Sequence, residues 1–147
     1  MEIITKISNE KIDVLINNAG GGDPIQFRDM KAHTLIKCTN LNYHAPVLLM
    51  QAVLEGMKER GFGRIINISS IASKSPRTLI PHYGAAKSAL EKFSSSMAVC
   101  YGETGININC ICPGGVNTIT SVENTLFQEI EIAYFSFFTR FPALLYV

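Results

Sequence analysis

A tyrosine and a lysine, Tyr83 and Lys87, lie four positions apart in the segment HYGAAKSALEKF at residues 82–93. On a helix, this spacing places both side chains on one face. A free tyrosine has a pKa of about 10 and is a poor proton exchanger at neutral pH, but a nearby cation favours the phenolate. Lowering that pKa by about three units takes roughly 4 kcal/mol, so Lys87 needs help from a second cation. A tyrosine tuned in this way can exchange a proton with an alcohol or carbonyl oxygen, which accelerates reactions roughly 10²–10⁴-fold.

The surroundings of this pair make a chance occurrence improbable. Ser70 precedes Tyr83 by thirteen positions and follows an apolar run, RIINIS. Two other apolar runs end in the polar or glycine-rich segments 17–20 and 113–115. Ligands of open α/β sheets bind outside the carboxyl ends of the strands. We therefore expect these segments to converge on one edge of a sheet.

Short apolar runs alternate with longer helical patterns along the chain, which predicts an α/β fold with parallel strands and right-handed crossovers. Strands are predicted at 12–17, 64–69 and 106–112, and helices at about 30–60 and 83–101. The first strand is continuously apolar, which is typical of a strand buried on both faces. Pro46 lies inside the first helical span and predicts a kink or a late start there.

Composition excludes several classes of protein. With 147 residues, 47% of them apolar and 17% charged, the chain is long enough for one globular domain. The net charge of +1 offers no basic stripe, so no nucleic-acid partner is expected. The start of the chain lacks a secretory signal, and the interrupted apolar end is shorter than the roughly 20 residues that cross a membrane. We therefore expect a cytoplasmic protein without a membrane partner.

Cysteine and histidine positions suggest no metal site. The four cysteines lack a C-x-x-C spacing, and Cys110 and Cys112 are expected on one face of a strand as small apolar residues. The histidines, His33, His44 and His82, share no ligand spacing and are predicted to be polar surface or cap residues.

Four motifs in order make the chain resemble the short-chain dehydrogenase/reductase family over about residues 11–118. They are NNAG at 17–20, NISS at 67–70, YGAAK at 83–87 and PGGVNT at 113–118. The resemblance implies a partial Rossmann-like, doubly wound parallel sheet, with the three strands equivalent to strands 4, 5 and 6 of the family. It also implies hydride transfer between NAD or NADP and a small-molecule alcohol or carbonyl.

The resemblance assigns catalytic roles. Tyr83 would be the general acid/base, and Lys87 would lower its pKa and hold the nicotinamide ribose. Ser70 would hydrogen-bond the substrate oxygen, for which its neighbour Ser69 is less favoured. The family's catalytic asparagine, which positions a water that relays protons, corresponds to Asn42. The other candidate, Asn40, has a plain interpretation as a helix cap.

Cofactor contacts follow from the same resemblance. Asn18, Ala19 and Gly20 would lie near the adenosine, and Val116 and Thr118 near the nicotinamide amide; Tyr83 and Lys87 would also contact the cofactor. Gly20 has a structural interpretation as well, as a turn residue.

The family's N-terminal glycine-rich cofactor motif has no counterpart before Ile12. We expect residues 1–118 to be the catalytic portion of a Rossmann-like domain and residues 119–147 to be an atypical apolar tail. The strand at 12–17 would then form an exposed apolar edge.

Three hypotheses follow. The first is a partial dehydrogenase/reductase, with a 3-oxoacyl-(acyl carrier protein) reductase type favoured on general resemblance. The second is a non-catalytic module that binds full-length relatives through its two long helices, the same helices through which a homo-oligomer is expected. The third is an inactive product whose tail comes from a shifted reading frame.

Overall fold

The computed structural model describes residues 11–115 and the short strand Tyr134–Ser136. The strands form one sheet in the order β1-β2-β3-β4, in which β1, β2 and β3 are parallel and β4 runs antiparallel to β3. Their bounds are Val14–Asn17 for β1, Gly63–Ile68 for β2, Ile106–Cys112 for β3 and Tyr134–Ser136 for β4. The predicted α/β class with a parallel sheet is confirmed.

Within the described residues, three α-helices and three shorter helical segments connect the strands. The α-helices are α1 (Ala32–Thr39), α2 (Ala45–Glu59) and α3 (Pro81–Tyr101). A π-helical turn, Asn40–His44, joins α1 to α2, and 3-10 turns span Phe27–Asp29 and Ile71–Ser73. Pro46 lies in the first turn of α2, directly after the π-helical turn. The helical run thus changes its hydrogen-bond pattern just before Pro46, the residue from which a kink or a late start was predicted because proline has no N–H to continue the ladder.

The register of the sheet aligns the ends of its strands. Asn17 at the end of β1 pairs with Asn67 of β2, which in turn pairs with Cys110 of β3. The segments that leave β1, β2 and β3 therefore begin side by side at one edge of the sheet.

The hydrophobic core lies between one face of the sheet and helices α2 and α3. Its apolar side chains come from alternate strand positions and from one face of each helix, and each is at most 4% exposed. They are Met50, Val53, Leu54, Met57, Ile65, Leu90, Ala98, Ile106 and Ile108. Cys110 and Cys112 continue this face at 1% and 0% exposure, as predicted. The core thus packs the sheet against α2 and α3.

Strand β1 differs from its prediction. Val14 and Ile16 are 52% and 58% exposed, so the predicted burial on both faces is wrong. Among the described strands β1 lies at the edge of the sheet, and the helices cover only one of its faces. The exposed apolar edge that was also expected is present. No helix within the described residues has the length and apolarity required to cross a membrane.

Candidate active site at the strand ends

Helix α3 carries Tyr83 and Lys87 on one face, beside the end of β2. The Lys87 side chain is 2% exposed, and its Nζ donates a hydrogen bond of 2.7 Å to the carbonyl oxygen of Ile68. The same Nζ lies 5.7 Å from the centroid of the half-buried Tyr83 ring. The buried ammonium is therefore anchored to the last residue of β2, one helical turn from the phenol.

Ser70 lies where β2 ends and the 3-10 turn begins. Its Oγ accepts a hydrogen bond of 3.1 Å from the Ala72 backbone N–H, so the serine caps the turn. The Ser70 side chain also lies close enough to Tyr83 for hydrogen bonding to act on the pKa of the phenol. The structure thus brings together the hydroxyl and the phenol that the sequence placed thirteen positions apart.

Burial raises the pKa of Tyr83 above its ordinary value of 10, although the Ser70 hydrogen bond acts to lower it. Lys87 does not offset this rise among the described residues; the expected lowering was assigned to Lys87 together with a second cation. The reason is that burial disfavours charge on both groups, since it also lowers the pKa of Lys87. Tyr83 is consequently a protonated phenol at neutral pH.

Asn42 lies in the π-helical turn and is fully buried. Its Nδ2 donates to the carbonyl oxygens of Gly21 at 2.8 Å and Cys38 at 2.9 Å, and its Oδ1 accepts from the Gly21 N–H at 3.0 Å. Asn40, by contrast, is exposed and contacts the Nδ1 atom of His44 at 2.8 Å. Of the two candidate asparagines, the structure places Asn42 at the site, in the kind of π-helical turn that is frequent at functional sites.

The glycine-rich loop after β1 packs directly on these side chains. A Cβ atom on Gly20 would lie 2.7 Å from Asn42 Oδ1 and 2.9 Å from Lys87 Nζ, and one on Gly22 would lie 2.6 Å from the Cβ of Tyr83. Such distances exclude a side chain at either position without a shift of the loop. Gly20 is therefore required for close approach and not merely for a turn.

The predicted cofactor contacts fall into two groups. Asn18, Ala19 and Gly20 are exposed at the end of β1, so their backbone is accessible to a ligand. Val116 and Thr118 lie outside the described residues.

A series of buried side-chain hydrogen bonds connects the strand ends to α3. Asn17 Nδ2 donates to Asn67 Oδ1 at 2.7 Å, Asn67 Nδ2 donates to Ser94 Oγ at 2.8 Å, and Ser94 Oγ donates to the Leu90 carbonyl oxygen at 2.7 Å. Since buried amides must be hydrogen-bonded, this series of bonds fixes the ends of β1 and β2 against α3. The sequence analysis gave no role to Ser94, or to Asn67 beyond its place in the NISS motif.

Glu91 is a further buried residue that the sequence analysis missed. It follows Lys87 by one helical turn and is 5% exposed. Burial acts to raise the pKa of its carboxyl, but hydrogen bonds, of which those from Lys74 and Ser69 are the strongest, outweigh burial and hold the pKa below its ordinary value. Its spacing from Lys87 was a signal that could have placed it on the same face.

His82 is buried, which differs from its prediction. His82 is 6% exposed, so its assignment as a surface or cap residue is wrong, and its Nδ1 has no hydrogen-bond partner among the described residues. The reason is that the first turn of α3 packs inward, against the 3-10 turn and α1. Within the described residues, no group of three or more histidine, cysteine or acidic side chains could hold a metal ion.

The chemistry of the site is that of a hydroxyl, a phenol and a buried cation around one open edge. Lys87 takes part in none of the ion pairs found among the described residues, so its charge is not neutralised by a carboxylate. A buried ammonium beside a glycine without a Cβ suits a neutral ligand rich in hydroxyls, such as a ribose. The side chains present therefore fit a nucleotide cofactor.

Comparison with known proteins gives a consistent result. The family model for short chain dehydrogenase matches residues 2–129. The chain is 34% identical over 121 residues to a 7alpha-hydroxysteroid dehydrogenase of Escherichia coli (strain K12), covering 82% of this chain and 47% of that protein. It is 36% identical over 107 residues to an acetoacetyl-CoA reductase of Shinella zoogloeoides, covering 73% of this chain and 44% of that one.

Solved structures agree in fold. A gluconate 5-dehydrogenase from Burkholderia cenocepacia J2315, in complex with NADP and tartrate, superposes with a TM-score of 0.76 at 29% identity, covering 84% of this chain and 51% of that one. The chain thus spans about half the length of the relatives that it matches.

Proposed function

The chain belongs to the short-chain dehydrogenase/reductase family, and from this premise we propose that it transfers hydride between a nicotinamide cofactor, NAD or NADP, and the alcohol or carbonyl carbon of a small molecule. The observation that carries the proposal is the convergence of Ser70, Tyr83, Lys87 and Asn42 at one edge of the sheet. When bound, the nicotinamide supplies or accepts the hydride.

The chain's own residues handle the proton. Ser70 holds the substrate oxygen, and Tyr83 exchanges a proton with it. Because burial raises the pKa of Tyr83, the phenol carries its proton at neutral pH and is ready to donate it to a developing alkoxide. The protonated phenol is the form that carbonyl reduction requires. In the oxidative direction, the same phenol must first lose its proton.

Lys87 and the loop after β1 would hold the cofactor. The buried ammonium of Lys87, together with Tyr83, would bind the nicotinamide ribose. One N–H of Lys87 is donated to the Ile68 carbonyl oxygen, and the ribose hydroxyls would accept hydrogen bonds from the others. Asn18, Ala19 and Gly20 would face the adenosine, and Val116 and Thr118 the nicotinamide amide. Asn42, which fixes the loop through Gly21, would keep Gly20 against the ribose and position a water for proton relay.

A 3-oxoacyl thioester is the favoured substrate class, supported by the acetoacetyl-CoA reductase of similar sequence. Steroid and sugar-acid alcohols, on which other relatives act according to their names, are the competing classes. The cytoplasm is the proposed location, which the free state of all four cysteines supports.

A second candidate function is an interaction module that binds a full-length relative or a second copy through the long helices. It is supported by exposed apolar side chains on α1, the π-helical turn and α2. These are Leu35, Ile36, Leu41 and Leu48, between 42% and 59% exposed. Patches of this kind mark interaction sites.

Fluorescence titration of the chain with NADH and NADPH separates the two functions. The enzyme proposal expects saturable binding that Lys87→Met weakens, followed by consumption of the reduced cofactor with acetoacetyl-CoA that Tyr83→Phe abolishes. Binding without turnover of acetoacetyl-CoA, but with turnover of a steroid ketone, would change the substrate class only. Absence of cofactor binding at millimolar concentration, together with co-purification with a full-length relative, would favour the interaction module.

A further inference from the structure

Glu91 connects four parts of the fold through one buried carboxylate. Its Oε1 accepts hydrogen bonds from Ser69 Oγ at 2.5 Å and from Cys112 Sγ at 3.3 Å, and its Oε2 contacts Lys74 Nζ at 2.5 Å. These partners lie after β2, at the end of β3 and directly after the 3-10 turn, whereas Glu91 itself lies on α3. A carboxylate that is 5% exposed would be costly without such partners.

The contacts of Glu91 belong to a repeating pattern along α3. Three side chains spaced four positions apart on this helix face three consecutive residues at the end of β2. Lys87 hydrogen-bonds to Ile68 and Glu91 to Ser69, while Tyr83 lies beside Ser70. The Ser69 backbone N–H is also fixed, donating 2.7 Å to the carbonyl oxygen of Ile111. Ser70 therefore follows a residue that is held from two sides.

The far end of the serine segment is fixed by the same carboxylate. Lys74 ends the 3-10 turn that Ser70 begins, and its backbone N–H donates to the Ile71 carbonyl oxygen at 2.9 Å. Its side chain then returns to Glu91. Glu91 thus holds the residue before Ser70 and the residue that closes the turn after it.

We propose that Glu91 is a positioning residue that sets the Ser70 hydroxyl against the Tyr83 phenol by holding Ser69 and Lys74. The catalytic meaning of this role depends on the function proposed above, but the positioning itself is a property of the chain alone. Burying an ion pair contributes little to stability compared with apolar packing, so stability alone does not explain a carboxylate here. The geometry of the serine segment does, because a directional acceptor fixes a hydroxyl that an apolar side chain would leave free.

The test measures the Tyr83 phenol directly, with the full chain and without cofactor. Tyrosine ¹³Cζ chemical shifts are followed against pH, and Tyr83→Phe identifies the resonance. Since hydrogen bonding by Ser70 acts to lower the pKa of Tyr83, Glu91→Ala is expected to raise the titration midpoint in the same direction as Ser70→Ala. The double variant should show no further rise, because both changes remove the same hydrogen bond.

Two variants separate positioning from a general loss of stability. Glu91→Gln keeps an oxygen that accepts from Ser69 and should restore most of the wild-type midpoint. If Glu91→Ala does not fold, Ser69→Ala carries the test, because it removes the donor of the same hydrogen bond and should also raise the midpoint. Leu90→Ala removes a fully buried neighbour on α3 that is not among the contacts of the serine segment, so it should lower the thermal midpoint without moving the Tyr83 titration.

An unchanged Tyr83 midpoint in folded Glu91→Ala, or in Ser69→Ala where Glu91→Ala does not fold, would overturn the positioning role. So would an equal rise in Leu90→Ala. Because the titration needs no turnover, a chain that shows the coupling but never binds NADH or NADPH would keep the positioning role and lose the proposed function.

Discussion

Replacing Asn42 by alanine tests whether this residue holds the glycine-rich loop over the site. The change removes four hydrogen bonds, two to the Gly21 backbone and two to Cys38, at its carbonyl oxygen and at its Sγ. Each such bond contributes about 0.5–1.5 kcal/mol net. Because Gly21 is exposed, water can replace part of this loss, and we expect a destabilisation of about 2 kcal/mol.

Urea unfolding followed by circular dichroism measures this loss. With a denaturant slope of about 1–3 kcal/mol/M for a small protein, the midpoint should fall by about 1 M. Hydrogen exchange should show that the Gly21 amide loses protection, since its acceptor is gone.

Asn40→Ala is the matched control. It removes the same residue type two positions away, but from an exposed site whose contact is with His44. Its effect should stay within about 0.5 kcal/mol. Equal effects of the two substitutions, or an unchanged Gly21 amide in Asn42→Ala, would refute the assignment of Asn42 to the loop.

Three further predictions follow from burial. Burial lowers the folded-state pKa of Lys87 below 10.5, so between that pKa and 10.5 the unfolded chain binds more protons than the folded chain. The wild type should therefore gain stability relative to Lys87→Met as pH rises across this window. Urea titrations at several pH values measure this gain. Gly22→Ala should cost about 1–3 kcal/mol because its methyl group meets Tyr83, whereas Gly56→Ala, which meets the flexible end of an arginine in mid-helix, should be neutral or stabilising by up to about 1 kcal/mol in thermal unfolding. A thiol reagent should modify the exposed Cys100 quickly in the native chain, and the buried Cys38, Cys110 and Cys112 only on unfolding. Fast reaction of more than one thiol would contradict the burial of these three.

The elements were predictable where local pattern and tertiary environment agree. The strand predicted at 106–112 is found as β3 over the same residues, because its alternating buried positions pack on the helices in the way that the apolar run indicates. The last helix also ends at Tyr101, where the glycines of the sequence placed its end.

Burial was less predictable, because it depends on what covers an element and not on the element's own residues. The apolar run of β1 indicated burial on both faces, yet Val14 and Ile16 are largely exposed in the described part of the chain. The same limit applies to the Tyr83 phenol. Its spacing from Lys87 indicated a lowered pKa, whereas desolvation, which no spacing reveals, raises that pKa.

Motif spacing identified the candidate site residues, but not the residues that hold them. Ser70 and Tyr83 could be named because the family resemblance fixes their positions. Glu91 and Asn67 act only through contacts between distant parts of the chain, such as the bond from Ser69 to Glu91 at 2.5 Å. The spacing from Lys87 places Glu91 on the same face of α3, but a single sequence does not show that this position is buried.

The most direct test of the whole account is the transfer of deuterium from ring-labelled NADH or NADPH to acetoacetyl-CoA, measured by mass spectrometry of the product. The account predicts one deuterium at the reduced carbon with the wild-type chain, and a rate at least about 10²-fold lower with Tyr83→Phe. Equal rates for the two chains, or a wild-type chain that transfers no deuterium to any carbonyl substrate offered, would contradict it.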